Sequence, residues 1–420
     1  MAEVFLYIVE SGLQDSDTHF ATGTFTFLQV CRHWNEVAIS FPRLWSWWVA
    51  GAVKAWPLFR SRSKDTPLSL ICRSQLPVSA RNILTDPAIP NRVRRLDFSG
   101  ASEQLTQFLS VFDSSPSNVS SIHLKISPYD NHEPNEQLAR FLSSPFPKLS
   151  HLDLENFLPI PSSPIFTTSR LTSLKLSLPL GKNNPFTLSQ FSQILQQHPS
   201  IRELDLNRAA IPLPGPERTA STPFILPQLV SLRLDGRETA ISGFLDLIGM
   251  SSPLHDVIVR FGSGTRVATV TALARIMKEI LAAYYKCEGL NHPRKASRLT
   301  ISYNSEKRYL VFHSRSHPTP TSNPKSNLKL QFHGIDELAR DKMVKEMFPF
   351  FPLDDVREFA IEGLFFDVDG HRGMFQKLKD LSHLRLERQY IWPVLRALSF
   401  GNNGMFDMVA KITSRSPPHT

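Results

Sequence analysis

The sequence predicts an α/β chain: a short helical module at the N-terminus, then a solenoid with a parallel sheet and outer helices. Three observations carry this reading. A six-residue pattern (apolar, two variable, apolar, one variable, apolar) recurs along the chain. Segments with apolar residues at helical spacing lie between its copies. Residues 1 to about 48 lack the pattern and carry helical spacing of their own. The expected divisions are 1–50 for the helical module, 51–92 for a connecting segment, 93–400 for the solenoid and 401–420 for a C-terminal tail.

In the module, Val4, Phe5, Ile8 and Val9 sit at helical spacing and predict a first helix, followed by a polar loop from Gln14 to Thr24. A second amphipathic helix is predicted around Val30, Cys31, Trp34, Val37 and Ala38, ended by Pro42.

The pattern then begins with Val93, Leu96 and Phe98, and continues through Val119, Ile122, Leu124 and Leu149, Leu152, Leu154. Leu171, Leu174, Leu176; Ile201, Leu204, Leu206; and Leu229, Leu232, Leu234 follow. From Leu96 to Val257 the central residues step by 22 to 30, near the leucine-rich-repeat period of about 20–29 residues. The physical meaning is a short strand whose alternate residues face one core, entered through an apolar anchor three positions earlier. One such strand cannot bury its own face, so copies stack in parallel.

Helices are predicted around Leu105, Phe108 and Phe112; Leu138, Phe141 and Leu142; Leu188, Phe191 and Leu195, with Thr187 or Ser189 as the cap; and Phe244, Leu245 and Ile248. Pro145, Pro147, Pro199 and Pro253 mark the turns from helix to strand.

The second half is less regular. Weaker copies stand at Val257 and Val259, Leu299 and Ile301, Leu328 and Leu330, Phe359 and Ile361, and Leu384 and Leu386. A long helix is expected from Val267 to Lys286, an exposed loop or hairpin over 303–327, and helices at Asp336–Met347 and Tyr390–Leu398. Ser414–Thr420 are expected to be disordered.

Composition narrows the function classes. Net charge is +9, but the basic residues fall in separated clusters (Arg60 and Arg62; Arg94 and Arg95; Arg294 and Lys295) without the interleaved aromatics of a phosphate-tracking groove. Three cysteines, Cys31, Cys72 and Cys287, are too few and too far apart for a disulfide framework or a zinc site, and read as buried small hydrophobes in a reducing compartment. No stretch is long and apolar enough to span a membrane. The chain is therefore expected to be cytoplasmic or nuclear, with neither nucleic acid nor membrane as a partner.

Motifs for acyl transfer, phosphate cradling or zinc hydrolysis are missing, and no cofactor or metal is expected. Asp367-Val-Asp369-Gly370 lacks the remaining calcium ligands and reads as a turn, His132-Glu133 has no partner histidine, and Asn118-Val119-Ser120 is a chance acceptor sequence. The 29 phenylalanines, Phe348, Phe350 and Phe351 among them, read as core filling between repeats.

Val30-Cys31-Arg32-His33-Trp34-Asn35-Glu36-Val37-Ala38, followed by Pro42-Arg43-Leu44-Trp45, resembles the second half of the F-box as it occurs in large fungal families joined to irregular leucine-rich repeats. Glu3 stands at that motif's opening acid, whereas its usual Leu-Pro has no counterpart in Met1-Ala2. The resemblance implies that Val4, Phe5, Ile8, Val30, Cys31, Trp34, Val37, Pro42, Leu44 and Trp45 supply contacts to a Skp-type adaptor or to the module's own core. It also implies assembly into a cullin-based ubiquitin ligase, with a protein target held on the concave strand face. A plain leucine-rich-repeat scaffold, its N-terminal helices serving as a cap, is the alternative.

Overall fold

The computed structural model describes residues 3–7 and most of 26–386. The chain is α/β with mostly parallel strands and divides into two compact units, Met1–Phe186 and Thr187–Thr420.

Unit 1 opens with a helical turn at 3–7, then α1 (Arg32–Ser40), a 3-10 turn at Pro42–Ser46 and β1 (Trp47–Val49). It continues as α2 (Trp56–Ser63), β2 (Leu68–Cys72), α3 (Val78–Leu84), β3 (Val93–Gly100), α4 (Ser102–Leu109), β4 (Ser121–Ile126), α5 (Glu136–Leu142), β5 (His151–Glu155) and β6 (Ser173–Ser177). The six strands lie side by side in chain order, every pairing parallel. The anchor and both strand residues of each copy are buried, for example Val119, Ile122 and Leu124. Helix residues close the core over them, as where Phe108 of α4 meets Phe98 of β3 at 5.6 Å. Each such side chain gains about 1.5–3 kcal/mol by leaving water.

The sheet starts earlier than the repeat pattern suggests. Residues 51–92, expected as a connection, contribute α2, β2 and α3. In β2 the alignment with β3 slips by one between Leu68 and Ser69, so the anchor Leu68 precedes Leu70 by two residues and the spacing is hidden. In β1 the spacing is intact but written in other residues: Trp45, Trp48 and Ala50 are all buried, and Trp48 pairs with Leu70.

Small polar residues tie neighbouring copies of unit 1 together. Ser150 Oγ donates to Ser120 O, and Thr172 Oγ1 to Ser150 O, both at 3.1 Å. Asn156 is buried in left-handed backbone (φ 63), a conformation Asn tolerates, and its Nδ2 donates to Ile126 O at 2.7 Å.

Unit 2 runs α6 (Leu188–Gln197), β7 (Glu203–Asn207), β8 (Phe224–Ile225), β9 (Ser231–Gly236), α7 (Glu238–Leu245), β10 (Ile248–Gly249) and β11 (Asp256–Phe261). It then continues with β12 (Ala296–Asn304), β13 (Tyr309–Ser316), β14 (Asn327–His333), α8 (Glu337–Met347), β15 (Glu358–Glu362) and β16 (His383–Leu386). Thr187 caps α6 reciprocally: Gln190 N donates to Thr187 Oγ1, and Thr187 N donates to Gln190 Oε1.

The strand order is β7-β9-β11-β14-β13-β12-β15-β16, with β8 and β10 forming a separate parallel pair. This corrects the expectation of an all-parallel sheet, because β13 pairs antiparallel with both β12 and β14. The expected loop or hairpin over 303–327 contains β13, which buries Leu310, Phe312 and Ser314. Only residues 305–308 separate β12 from β13, and so short a connection permits an antiparallel return but not a parallel crossover. Phe348 and Phe351 are buried, as core filling requires, whereas Phe350 between them is only half-buried.

The Tyr390–Leu398 helix, the tail, Cys287, His132-Glu133 and Asp367-Val-Asp369-Gly370 lie outside the described residues, as does most of Val267–Lys286. Within that last stretch, Ile280, Leu281 and Tyr284 are helical and buried.

Candidate functional site

Two surfaces of unit 1 carry features that core packing does not explain. The first is the helical module. Cys31 caps α1, its Sγ accepting from Trp34 N at 3.5 Å, and is exposed, which corrects its reading as a buried hydrophobe; Cys72 is buried. Phe5 meets Trp34 edge-on at 5.2 Å and joins the residue 3–7 turn to α1. Trp45 Nε1 donates to Ala38 O at 2.8 Å, Phe59 packs against its ring at 5.7 Å, and the Arg62 guanidinium lies over it at 4.3 Å.

The expected contact residues therefore separate by role. Phe5, Leu44 and Trp45 are buried in the chain's own core, where they cannot reach a partner. Trp34, Val37 and Pro42 are half-buried, Val4, Val30 and Cys31 face solvent, and Ile8 lies outside the described residues.

Tyr7 (71% exposed) and Ile39 (42%) join the outward set, although the sequence reading did not single them out. Tyr7 lies one turn after Val4, so the i, i+3 relation was a usable signal. Four of the eight exposed large apolar residues among those described fall between residues 4 and 39, a concentration in one small module.

The second surface is the strand face of unit 1 turned away from the helices. The residue between the second and third apolar positions of each copy lines up across the strands: Ile71, Asp97, His123, Asp153 and Lys175. That alignment could have been read from the repeats themselves.

Asp97 is almost sealed, its side chain 2% exposed. Arg73 and Arg95 both reach its Oδ2, at 3.1 and 3.2 Å, and His123 Nδ1 lies 2.9 Å from Oδ1. Burial pushes the Asp97 carboxyl up, but the His123 hydrogen bond and the charges of His123, Arg73 and Arg95 outweigh it and hold the group below the usual carboxylate range. Asp153, 3.7 Å from His123 Nε2, goes the other way: burial raises it, only partly offset by the charges of His123 and Lys175.

Arg94, Ser120, Ser150 and His151, at the variable positions of the copies, bond to one another and to neighbouring copies: Arg94 O accepts from Ser120, and Ser150 Oγ contacts His151 Nδ1 at 2.8 Å.

On unit 2, a basin of about 310 Å³ is lined by Arg298, Thr300, Ala360, His383 and Arg385, with Arg298 paired to Glu358. Among the described residues no group of His, Cys, Asp or Glu is arranged to hold a metal ion, and no helix is long and apolar enough to cross a membrane. No protein-family model and no curated protein matches the sequence.

Proposed function

We propose that the chain is a non-catalytic substrate-recognition adaptor of a cullin-based ubiquitin ligase, its N-terminal F-box-like module docking on a Skp-type adaptor and its repeats holding a protein target. The observation that carries this is the outward apolar set Val4, Tyr7, Val30 and Ile39 on the same module that bears the F-box-like run. Holding a target beside the transferred ubiquitin then raises its effective concentration without chemistry from this chain.

The inward set favours a second reading. Trp45, Trp48 and Ala50 make the module continuous with the first copy of the sheet, as a scaffold's end cap would be.

Co-expression with a Skp-type adaptor separates the two. The wild-type chain is expected to form a one-to-one complex. Tyr7→Asp with Val30→Asp is expected to abolish it while leaving thermal melting unchanged, each anchor contributing about 2 kcal/mol or more to binding. Folded wild-type protein that forms no complex leaves the scaffold reading.

A further inference from the structure

On the strand face of unit 1 the Asp97 carboxylate lies beneath its cations, whereas Asp153 keeps 35% of its side chain exposed. Asp97 keeps 2% of its side chain exposed, whereas Arg73 and Arg95, which close over it, keep 23% and 39%. Two residues further along the strands, on the same face, Lys125 is 40% exposed and Glu155, 3.0 Å away, is 27%. Lys175 of β6 pairs in register with Asp153 of β5. Four cations (Arg73, Arg95, Lys125, Lys175) thus stand against three carboxylates (Asp97, Asp153, Glu155), leaving one positive charge in excess before His123 is counted. Arg95 and Lys125 are each more exposed than the acid they pair with, Asp97 and Glu155.

Arg95 is fixed before any partner arrives. Its guanidinium lies 5.4 Å from the centroid of the Trp47 ring and is tied to Asp97, and its Nε is buried with no acceptor. A guanidinium held in this way loses little freedom on accepting an anion, and its remaining N–H donors form a planar fork suited to a carboxylate.

The geometry points to an extended acidic segment of the protein target as the occupant of this face, its Asp and Glu carboxylates meeting Arg95, Lys125 and Lys175. The inference rests on the reading of the repeats as a target receptor and adds the chemistry of the target. From β3 to β6 is three inter-strand steps, about 14 Å at the usual spacing, which about four extended residues span. Unmodified carboxylates fit better than a phosphate: each arginine and Lys125 already shares its charge with an acid, whereas a phosphate dianion is best held by several unshared cations converging on one point. A basic segment is disfavoured because the face carries one positive charge in excess and its most buried acid, Asp97, is closed over by Arg73 and Arg95.

The test is binding of a labelled peptide alternating Glu with Ala to the full chain, without any adaptor, by fluorescence anisotropy. The Gln-for-Glu, Lys-for-Glu and phosphoserine-for-Glu peptides are measured beside it. The Glu peptide is expected to bind, the Gln and Lys peptides to fail, and added salt to weaken the complex. Lys125→Gln with Lys175→Gln is expected to weaken binding about tenfold, with hydrogen-exchange protection of β3–β5 unchanged. Equal binding of the Gln peptide, preference for the Lys or phosphoserine peptide, no binding at all, or an unchanged affinity in the double variant would each overturn the inference. Because no adaptor is present, this outcome is independent of the co-expression result.

Discussion

The two units hold their strands together by different devices. In unit 1 the links between copies are small polar groups: the Ser150 and Thr172 hydroxyls on the preceding copy's entry carbonyl, Asn156 on Ile126 O, and the Asp97 cluster. In unit 2, rings join β11, β14 and β13, and ion pairs such as Arg298–Glu358 join β12 to β15. Phe261 stacks on Phe332 at 4.8 Å, Phe332 meets Phe312 at 6.2 Å, and Phe312 stacks on Phe351 at 5.6 Å.

The cause is strand order. Parallel strands taken in chain order set the same position of each copy beside its predecessor, so one small residue per copy can repeat a hydrogen bond indefinitely. β11 still pairs parallel with β14 and sets Phe261 opposite Phe332; antiparallel pairing begins at β13, where equivalent positions no longer meet and rings such as Phe312 fill spaces that differ from strand to strand. Where parallel order resumes at β15 and β16, the hydroxyl returns: Ser382 Oγ donates to Arg357 O at 3.1 Å.

The largest expected effect breaks the ring device. Phe332→Ala removes the centre of the aromatic chain and should cost about 3–5 kcal/mol. Hydrogen exchange is the readout: protection should fall across β11–β14 and stay in β3–β5. An equal loss in β3–β5 would mean that the two devices do not stabilise separate units.

A smaller cost is expected from the polar device. Asp97→Asn leaves Arg73, Arg95 and His123 around a neutral amide and should cost about 3 kcal/mol at neutral pH, read by urea unfolding. Because the folded-state carboxyl lies below its unfolded value, its contribution is fully present above about pH 4 and is lost as pH falls through the lower folded value. The gap between wild type and variant should therefore close in strong acid. Asp153, raised by burial, has the opposite sign. Its charged form costs stability at neutral pH, acidification relieves that cost, and Asp153→Asn should not destabilise. A gap at Asp97 that persists through strong acid would contradict the assignment.

Much of this was legible in the sequence wherever a copy kept its apolar anchor three residues ahead. β3 to β7, β9 and β11 follow from that spacing, and the Thr187 cap was legible as well. β8 and β10 do not follow from it, and Ile248, expected in a helix with Phe244 and Leu245, opens β10 instead because the helix ends at Leu245. β1 escaped because Trp45, Trp48 and Ala50 express the pattern in aromatic and small residues, and β2 because a one-residue slip displaces Leu68. β13 escaped because the polar and proline residues at 317–324 dominate the stretch around it. At the candidate surface, residue type alone could not say which flank of an amphipathic helix turns inward. Phe5 and Val4 are neighbours in sequence, yet one is fully buried and the other 57% exposed, a difference set by the approach of Trp34. In the Asp97 cluster, His123 follows from aligning the repeats, but Arg73 comes from the slipped β2 copy and is visible only once strand register is known.

The smallest effect sharpens the comparison most. Leu149-Ser-His-Leu152 in unit 1 and Leu381-Ser-His-Leu384 in unit 2 make the same local bonds: the serine Oγ reaches the preceding copy's carbonyl at 3.1 Å in both, and the next histidine's Nδ1 at 2.8 and 2.9 Å. In both, the same carbonyl also accepts the serine's own N–H at 2.9 Å, so removing the hydroxyl leaves no orphaned acceptor. Ser150→Ala and Ser382→Ala should therefore each cost about 0.5–1 kcal/mol, the low end for a lost hydrogen bond. If parallel stacking is what makes the hydroxyl useful, the two costs should agree in urea unfolding despite their different units. A cost at Ser150 with none at Ser382 would tie the device to unit 1 itself and not to strand order.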